Sequence, residues 1–318
     1  MKAISVGLYL TAALMRRWPR SIRRLDWWWD CIYRAIGGGG YSTDENIDAS
    51  WPAGLQKPVR GKLHPFRLKL NLKDWLERRA YFSGQLYQRD LEFAVTTILR
   101  EGDCFIDIGA NIGLVALLAA SRIGRSGRLI AIEANPTVFA RLKDHLDSNA
   151  LAMPAEAINV ALGADSSTAL MHVSQGHAGT GTLTLGGGTI KVCIRPADDV
   201  ISVPNRNQPL CVKIDVEGYE GRVVAGMSSL LSRENVAVFI EISKDMLARI
   251  GDSSGALHQT LQSAGFCCYL FQHSIGRWGE SLHFEQSDVL RDEWQYDALY
   301  VKRGSVFEDR IRPYIRQS

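Results

Sequence analysis

Acidic side chains follow three apolar stretches of the sequence, at positions where they could hold or activate a ligand. Asp107 lies in CFIDI, Glu133 ends LIAIE, and Asp215 and Glu217 end LCVKIDVE. Carboxylates accept hydrogen bonds from ribose hydroxyls and take up protons in general base catalysis. These residue types therefore favour a nucleoside-like ligand and a reaction that moves a proton.

The first acid opens the motif DIGANIG, residues 107–113. Gly109 permits a sharp turn from strand to helix, and Gly113 lets that helix lie close to the strand. The spacing G-x-x-x-G differs from the G-x-G-x-x-G of dinucleotide-binding folds, and Asp107 would repel a pyrophosphate. With Glu133 about 20 residues further on, acids at two neighbouring strand ends suit S-adenosylmethionine, which carries a sulfonium and an ammonium group. NAD is the second candidate.

A third cluster of charges occupies the segment KIDVEGYE, residues 213–220. Alternation along a strand places Lys213, Asp215 and Glu217 on one side. Charges at the end of a buried strand cost free energy unless they are paired or functional. We favour a function for Asp215, as a base or as a ligand of a divalent ion. The alternative is that Lys213 pairs with a carboxylate and Glu217 caps the next helix, on whose surface Glu220 is expected.

Metal binding has weaker support. Asp215 and Glu217 could coordinate Mg²⁺, but they are only two carboxylates and no histidine joins them by spacing, so we predict that no metal is used. His172 and His177 lie in a loop-like segment, where a lone histidine is usually solvated.

Stretches typical of strands alternate with stretches typical of helices from residue 88 onward. The strands are continuous runs of apolar residues, which indicates a sheet covered by helices on both faces. The sequence predicts a doubly wound, mostly parallel, Rossmann-like α/β sheet. The predicted helices are residues 88–99, 112–121, 136–149, 219–231 and 255–264, and the predicted strands are residues 104–108, 129–133, 157–162, 210–216, 236–242, 266–271 and 297–302. Residues 170–196 interrupt the alternation and are expected to form an inserted hairpin or meander on one edge.

Four segments, in this order and spacing, resemble the FkbM family of S-adenosylmethionine-dependent methyltransferases. They are FIDIGANIG (105–113), IEANP (132–136), VKIDVEGYE (212–220) and FIEIS (239–243). The likeness covers about residues 80–302. It implies a class I methyltransferase fold with seven strands, the last one antiparallel. It also implies methyl transfer to a hydroxyl oxygen of a sugar or glycan, a polyketide or another small molecule.

The resemblance also implies site residues at matching positions. Those for the amino-acid end of the cofactor are Asp107, Gly109, Asn111 and Gly113. Glu133 would hold the ribose, while Asn135 and the strand end 159–161, with Ala161, would lie near the adenine. The catalytic candidates beside the transferred methyl are Asp215 and Glu217, together with Lys213. One departure is the segment 81–93, where the family commonly has a glutamate and this chain has Gln85 or Gln88.

Residues 1–40 differ in composition from the rest of the chain. They contain seven lysines and arginines, two aspartates and four of the eight tryptophans, although the whole chain has a net charge of only +3. Their apolar run is shorter than the roughly 20 residues that span a bilayer, and no small-residue cleavage site follows it. Tryptophan beside arginine suits a membrane headgroup region, so peripheral contact with the inner membrane face is one interpretation. Packing on the catalytic domain or on a second subunit is the other.

The predicted domains are an appendage at 1–40, a linker and lead-in at 41–90, the methyltransferase domain at 91–304 and a C-terminal tail at 305–318. The small net charge gives no reason to expect a nucleic acid partner. Six cysteines without a C-x-x-C pair indicate buried, reduced thiols and a cytoplasmic location. Whether the chain forms a homo-oligomer stays open.

Three classes of function follow from these residues. The first is a small-molecule O-methyltransferase. The second is a nicotinamide-dependent oxidoreductase, which the glycine spacing and Asp107 disfavour. The third is a non-catalytic nucleoside-binding module, which the acids at 213–220 disfavour. Acceptor specificity is expected to lie in residues 51–90 and 163–196.

Overall fold

The computed structural model describes residues 58–60, 65–83, 86, 88–173, 181–183, 186–276 and 279–316. The predictions for residues 1–40, Gln85 and His177 fall outside these ranges. The chain forms two compact units, the first comprising residues 1–89, 175–178 and 274–281 and the second the remainder. Within the described ranges, no helix is both long enough and apolar enough to cross a membrane.

The first unit contains a short hairpin and a helix. Strand β1 (Pro58–Arg60) pairs antiparallel with β2 (Arg67–Lys69), and helix α1 spans Trp75–Ser83. Asp74 caps the start of α1, because its Oδ1 accepts hydrogen bonds from the backbone N–H groups of residues 76 and 77. The buried guanidinium of Arg78 donates to the carbonyl of Leu72 at 2.9 Å, which ties the helix to the segment before it.

The second unit contains the central sheet, except for residues 274–276 and 279–281 of two of its strands, which fall in the first unit. Its strands are β3 (Cys104–Ile108), β4 (Arg128–Ile132), β5 (Ala155–Ile158), β9 (Leu210–Ile214), β10 (Val236–Ser243), β11 (Phe266–Gly276), β12 (Gly279–Gln286) and β13 (Gln295–Lys302). Their spatial order is β12-β11-β13-β10-β9-β3-β4-β5. Five neighbouring strands, β10, β9, β3, β4 and β5, are parallel to one another. Strand β13 lies between β10 and β11 and is antiparallel to both. The predicted class I fold and its antiparallel last strand are confirmed, but β12 makes eight strands instead of seven.

Helices follow the strands as a doubly wound sheet requires. They are α2 (Arg89–Ile98), α3 (Leu114–Ile123), α4 (Pro136–Ser148), α5 (Ala197–Val200), α6 (Glu220–Ala225), α7 (Ser228–Leu231), α8 (Lys244–Ala248), α9 (Ser254–Ser263) and α10 (Val306–Ile311). Strands β3, β9 and β10 are buried along their whole length. Their continuous apolar runs therefore have the burial expected of strands covered on both faces.

Residues 161–195 form a second, smaller sheet. Strands β6 (Ala161–Leu162), β7 (Ser167–Met171) and β8 (Ile190–Arg195) are arranged in the order β6-β8-β7. The prediction that the insert lies on the edge of the central sheet is wrong, because the insert pairs with β6 and makes its own core cluster. The predicted strand 157–162 is accordingly divided between the two sheets.

The described cysteines are free thiols. Cys104, Cys211, Cys267 and Cys268 are buried, as expected, whereas Cys193 is exposed on the smaller sheet.

Candidate active site

Three parallel strands, β3, β4 and β9, end at one edge of the central sheet, where β10 continues for three more residues. Ile108 of β3 pairs in register with Ile132 of β4 and with Ile214 of β9, which in turn pairs with Ile240 of β10. The next residues along these strands are Gly109, Glu133, Asp215 and Glu241. Because the four strands are parallel and in register, one glycine and three carboxylates lie side by side at the carboxyl edge, where ligands of open α/β sheets bind.

The turn after β3 has an unusual backbone. Gly109, Asn111 and Gly113 have φ values of 74°, 51° and 90°, all in the left-handed region. A β-carbon at Gly109 would lie 1.9 Å from the carbonyl oxygen of Asp215, whereas one at Gly113 would meet Leu142 at 2.8 Å. Gly109 is therefore required for close packing between this turn and the end of β9. Gly113 is required for the entry into α3 and for packing against α4.

Glu133 joins the turn to the end of β4. Its Oε2 accepts the backbone N–H of Asn111 at 2.9 Å, and its Oε1 accepts that of Asn135 at 2.8 Å. Burial raises the pKa of this carboxyl, although the two hydrogen bonds oppose the shift. The side chain remains partly exposed. Since an ionised carboxylate can accept about four hydrogen bonds, Glu133 retains acceptor capacity for ribose hydroxyls, and the site fits the predicted cofactor at this position.

Asp107 occupies a different place from the one predicted. Its side chain is 0% exposed, and its carboxylate lies 3.3 Å from the ammonium of Lys213. Burial raises the pKa of Asp107, with Lys213 acting in the opposite direction. The prediction that this acid contacts the cofactor directly is corrected, because the side chain lies inside the unit as a counter-ion of Lys213.

Lys213 is buried between two carboxylates, as the alternative interpretation anticipates. Its Nζ donates to the carbonyl of Gly109 at 2.7 Å and lies 3.3 Å from Oδ2 of Asp215. Burial alone lowers the pKa of Lys213, but the negative charges of Asp215 and Asp107 outweigh it and hold the pKa above its usual value. The raised pKa favours the ammonium form, which does not suit a general base, and any direct catalytic role of Lys213 remains a prediction.

Three carboxyl groups gather beyond the end of β9. Asp215, Glu217 and Glu241 each have an oxygen within 4.8 Å of the others. Burial and the charges of Asp215 and Glu220 raise the pKa of Glu217 to about 7. Burial, with Asp215, Asp297 and Glu217 nearby, also raises the pKa of Glu241 well above its usual range. The cluster can hold and exchange protons near neutral pH, and three oxygens at this separation could also surround a cation. The absence of a metal remains a prediction.

The backbone, not strand alternation, brings Glu217 into this cluster. Strand β9 ends at Ile214, and Glu217 has a φ of 55°, so the turn has already begun. Glu220 lies beneath the turn instead of on the helix surface, which corrects the sequence prediction. It is 1% exposed, and its Oε1 accepts the N–H groups of Val216 and Gly218. The sequence signal for this buried cap was present, since Glu220 comes two residues after a glycine at the start of a helix.

The predicted adenine residues lie at the end of β4 and the start of the smaller sheet. Asn135 is buried and caps α4, because its Oδ1 accepts the N–H of Thr137 at 3.0 Å. Asn159 donates to the carbonyls of Glu133 and Ala134, and Ala161 is buried beside Ala134 in the core of the smaller sheet. The side chain of Asn135 therefore fixes the start of α4 close to Glu133, Ala161 belongs to the core of the smaller sheet, and any adenine contact by this segment remains a prediction.

The insert is joined to the site through Thr182. The backbone N–H and carbonyl of this residue pair with those of His172, and its hydroxyl donates to the carbonyl of Glu217 at 2.8 Å. No catalytic role for His172 follows from these contacts, which involve only its backbone. The sequence places Glu241 at the same edge, as an acid at the end of an apolar strand, but gives no signal for Thr182 or Asp297.

The chain matches one family model, described as the methyltransferase FkbM domain, over residues 107–268. A curated relative, hexuronic acid methyltransferase AglP from Haloferax volcanii, is 32% identical over 146 residues, which cover 45% of this chain and 56% of the relative. The match thus spans little more than half the length of that relative.

Two solved structures were also found to be similar. Methyltransferase FkbM from Methylobacillus flagellatus has 12% identity, a TM-score of 0.37, and covers 86% of this chain and 60% of its own. Precorrin-6y C5,15-methyltransferase from Geobacter metallireducens has 13% identity, a TM-score of 0.39, and covers 68% of this chain and 88% of its own.

Proposed function

Because this chain belongs to the FkbM methyltransferase family, whose cofactor is S-adenosylmethionine, we propose that it transfers a methyl group from this cofactor to a hydroxyl group of a glycan or another small molecule. The observation that carries the proposal is the row of Gly109, Glu133, Asp215 and Glu241 at the carboxyl edge of four parallel strands. At this edge, Glu133 can accept hydrogen bonds from ribose hydroxyls, and Asp215 and Glu241 offer carboxylates that can take up a proton.

The cofactor is proposed to lie over the turn 109–113 and beside Glu133. The partly exposed carboxylate of Glu133 accepts the ribose hydroxyls, while its two hydrogen bonds to backbone N–H groups fix its orientation. The left-handed turn at Gly109 and Asn111 leaves the backbone open to the cofactor's amino-acid end. Asp107 supports this turn from below through Lys213 and does not contact the cofactor.

S-adenosylmethionine bound here would supply the methyl group, whose bond to the acceptor oxygen would form as its bond to sulfur breaks. The chain aligns the acceptor and removes its proton. Asp215 is the proposed base, because its side chain is 20% exposed and ion-paired with Lys213 at the edge of the sheet. The neighbouring carboxyls Glu217 and Glu241 can then pass the proton towards solvent.

A sugar hydroxyl is the proposed acceptor. The curated relative is named as a hexuronic acid methyltransferase, and Trp294 offers an aromatic surface at the same edge. Trp294 is 70% exposed, and its carbonyl accepts the N–H of Lys244 directly after β10. Aromatic faces pack against the apolar faces of ligands that are polar at their rims.

Binding separates this function from the nicotinamide alternative. Purified full-length protein is titrated with S-adenosylhomocysteine and, separately, with NADH in a calorimeter. We expect binding of S-adenosylhomocysteine alone, and binding of NADH alone would refute the proposal. Transfer of a labelled methyl group into glycan and lipid extracts then separates an enzyme from a binding module, since a module would bind without turnover. Comparison of methylated metabolites and glycans with and without the gene would identify the acceptor.

A further inference from the structure

Lys213 contacts groups from two different strands with one ammonium. The carbonyl of Gly109 lies in the turn after β3, the carboxylate of Asp107 lies within β3, and the carboxylate of Asp215 follows β9. The distances from Nζ are 2.7, 3.3 and 3.3 Å. The contact with the Gly109 carbonyl is a hydrogen bond, and the two carboxylate contacts are ion pairs.

The contact with the Gly109 carbonyl does not follow from charge neutralisation. A lysine that only balanced Asp107 would need a carboxylate partner and no particular backbone group. Here the shortest of the three contacts is to the backbone of the turn on which the cofactor is proposed to lie. The same turn approaches the end of β9 so closely that a β-carbon at Gly109 would lie 1.9 Å from the Asp215 carbonyl oxygen.

Burial makes these contacts strong and hard to replace. The side chain of Lys213 is 3% exposed, and a buried polar group that loses its partner carries a free-energy cost. Hydrogen bonds from a charged donor in such surroundings are stronger than those between neutral groups. The turn and the carboxylate of Asp215 are therefore held in one fixed relation by a single side chain.

We propose that Lys213 is a positioning residue, which sets the cofactor turn and the base Asp215 in register with each other. The expected loss of affinity and turnover rests on the proposed function. The expected loosening of residues 109–113 does not depend on that function. Loss of Lys213 should loosen residues 109–113 and also disorient Asp215. Cofactor affinity and turnover should then fall together, even when the buried charge of Asp107 has been removed.

The test compares four variants with the wild type. Lys213→Met removes the ammonium and leaves Asp107 uncompensated, so it can fail to fold. The double variant Lys213→Met/Asp107→Asn removes both charges and keeps the side-chain shapes. Lys213→Arg keeps the charge and is the conservative replacement. Lys302→Met is the matched control. Like Lys213, Lys302 donates to backbone carbonyls, here those of Leu231 and Ala264, but it lies at the opposite edge of the sheet.

Two readouts are taken on each folded variant. Hydrogen exchange of the peptide covering residues 109–113 reports on the turn without any ligand. Titration with S-adenosylhomocysteine, with kcat for the labelled-methyl assay, reports on the site. We expect the double variant to regain thermal stability relative to Lys213→Met. It should still exchange faster at 109–113, bind about tenfold more weakly and turn over about tenfold more slowly or worse. Lys213→Arg should recover part of both, and Lys302→Met should change neither.

Wild-type exchange at 109–113 in the double variant would overturn the proposal, because Lys213 would then only neutralise Asp107. Recovery of wild-type affinity and turnover in that variant would do the same. If the wild type fails to bind S-adenosylhomocysteine, the proposed function fails. The exchange comparison would then still decide whether Lys213 holds the turn.

Discussion

At the scale of single residues, the site is defined by carboxyl groups whose environments differ. Glu133 is fixed by two backbone N–H groups, Asp107 is buried against Lys213, and Glu217 and Glu241 share an acidic surrounding. The same side-chain chemistry neutralises Lys213 at Asp107 and is proposed to serve binding at Glu133 and proton exchange at Glu217 and Glu241. Environment decides between these roles, because burial and neighbouring charge set the free energy of each ionised form.

The raised pKa of Glu217 predicts a pH-dependent effect on stability. In the unfolded chain this group titrates near 4.5, and in the folded protein near 7. Its protonation therefore favours the folded state below about pH 4.5, and this contribution is lost as the pH rises through 7. We expect Glu217→Gln to gain on the order of 1–2 kcal/mol relative to the wild type between pH 5 and pH 8.5.

Urea unfolding at the two pH values measures this change. The exposed Glu234→Gln provides the control and should show no comparable dependence on pH. An equal effect of Glu217→Gln at both pH values would mean that burial and the neighbouring negative charges do not raise the pKa of Glu217 in the folded protein.

The positions of several site residues could be predicted from the sequence. The contacts that bury Asp107 and Glu220 could not. Glu133 and Asp215 follow apolar strands, and parallel strands in register bring such residues to one edge. The burial of Asp107 and Glu220 depends on contacts made after folding, with Lys213 and with the turn at Gly218. An acid in a sequence motif carries no signal that distinguishes a ligand-facing side chain from an internal counter-ion.

At the scale of elements, the turn after β3 is expected to tolerate substitution least. Gly109 combines a positive φ with the close approach of the Asp215 carbonyl, and the two effects can be separated experimentally. Gly251 has a φ of 77°, close to the 74° of Gly109, but a β-carbon there would meet nothing within 4 Å.

Gly251→Ala is therefore expected to cost only the backbone strain, about 1 kcal/mol. Gly109→Ala should cost at least about 3 kcal/mol and weaken binding of S-adenosylhomocysteine, because the turn must move away from β9. Chemical denaturation and calorimetry of the two variants check this difference. Equal losses of stability, with unchanged affinity for Gly109→Ala, would show that the close approach at Gly109 has no role in the site.

The C-terminal helix α10 is an element that the sequence analysis does not predict. Residues 305–318 are assigned there as a tail, but Phe307 and Ile311 are fully buried. Arg310 pairs with Asp103 through two hydrogen bonds and also donates to the carbonyl of Ile98 at 2.8 Å. The short apolar pattern of α10 is too brief to indicate a helix by itself, so tertiary contacts decide its position.

Removal of Arg310 should destabilise the second unit strongly. Arg310→Met leaves Asp103, whose side chain is 2% exposed, without its counter-charge, and breaking such a buried pair costs about 3–5 kcal/mol. Arg312→Met is the matched control, because Arg312 pairs with Asp309 where both side chains are 71% exposed. Such a surface pair contributes about 0–1 kcal/mol. Thermal unfolding of both variants tests this contrast, and similar losses would contradict the assigned role of Arg310.

Element boundaries were predictable where the signal is local. Helix α4 begins at Pro136 with Asn135 as its cap, and both are visible in the sequence. The predicted helix 219–231 is divided instead at Gly226, where a β-carbon would lie 2.0 Å from the carbonyl of Gly163. Helix α7 is then capped by Asp198, about 30 residues earlier in the chain. A local pattern contains no information about a contact or a cap supplied from so far away.

At the scale of the whole molecule, the family assignment concerns residues 107–268, and the basic segment 1–40 lies outside it. Membrane contact and packing on protein are the two interpretations of that segment. Flotation with anionic liposomes distinguishes them, using the full chain and a chain that begins after Gly40. If residues 1–40 bind a membrane surface, only the full chain should float, and the bound fraction should decrease with salt. Equal soluble recovery of both chains would exclude membrane contact through this segment.

We propose that the carboxyl edge of the sheet assigns cofactor binding to Glu133 and proton removal to Asp215. Calorimetric titration of S-adenosylhomocysteine into Glu133→Ala and Asp215→Ala, each compared with the wild type, tests this most directly. We predict that Glu133→Ala weakens binding by about tenfold or more, because a partly buried carboxylate that accepts hydrogen bonds from hydroxyl groups is lost. Asp215→Ala should bind with wild-type affinity and lose turnover. Wild-type affinity in Glu133→Ala, or full turnover in Asp215→Ala, would contradict the account.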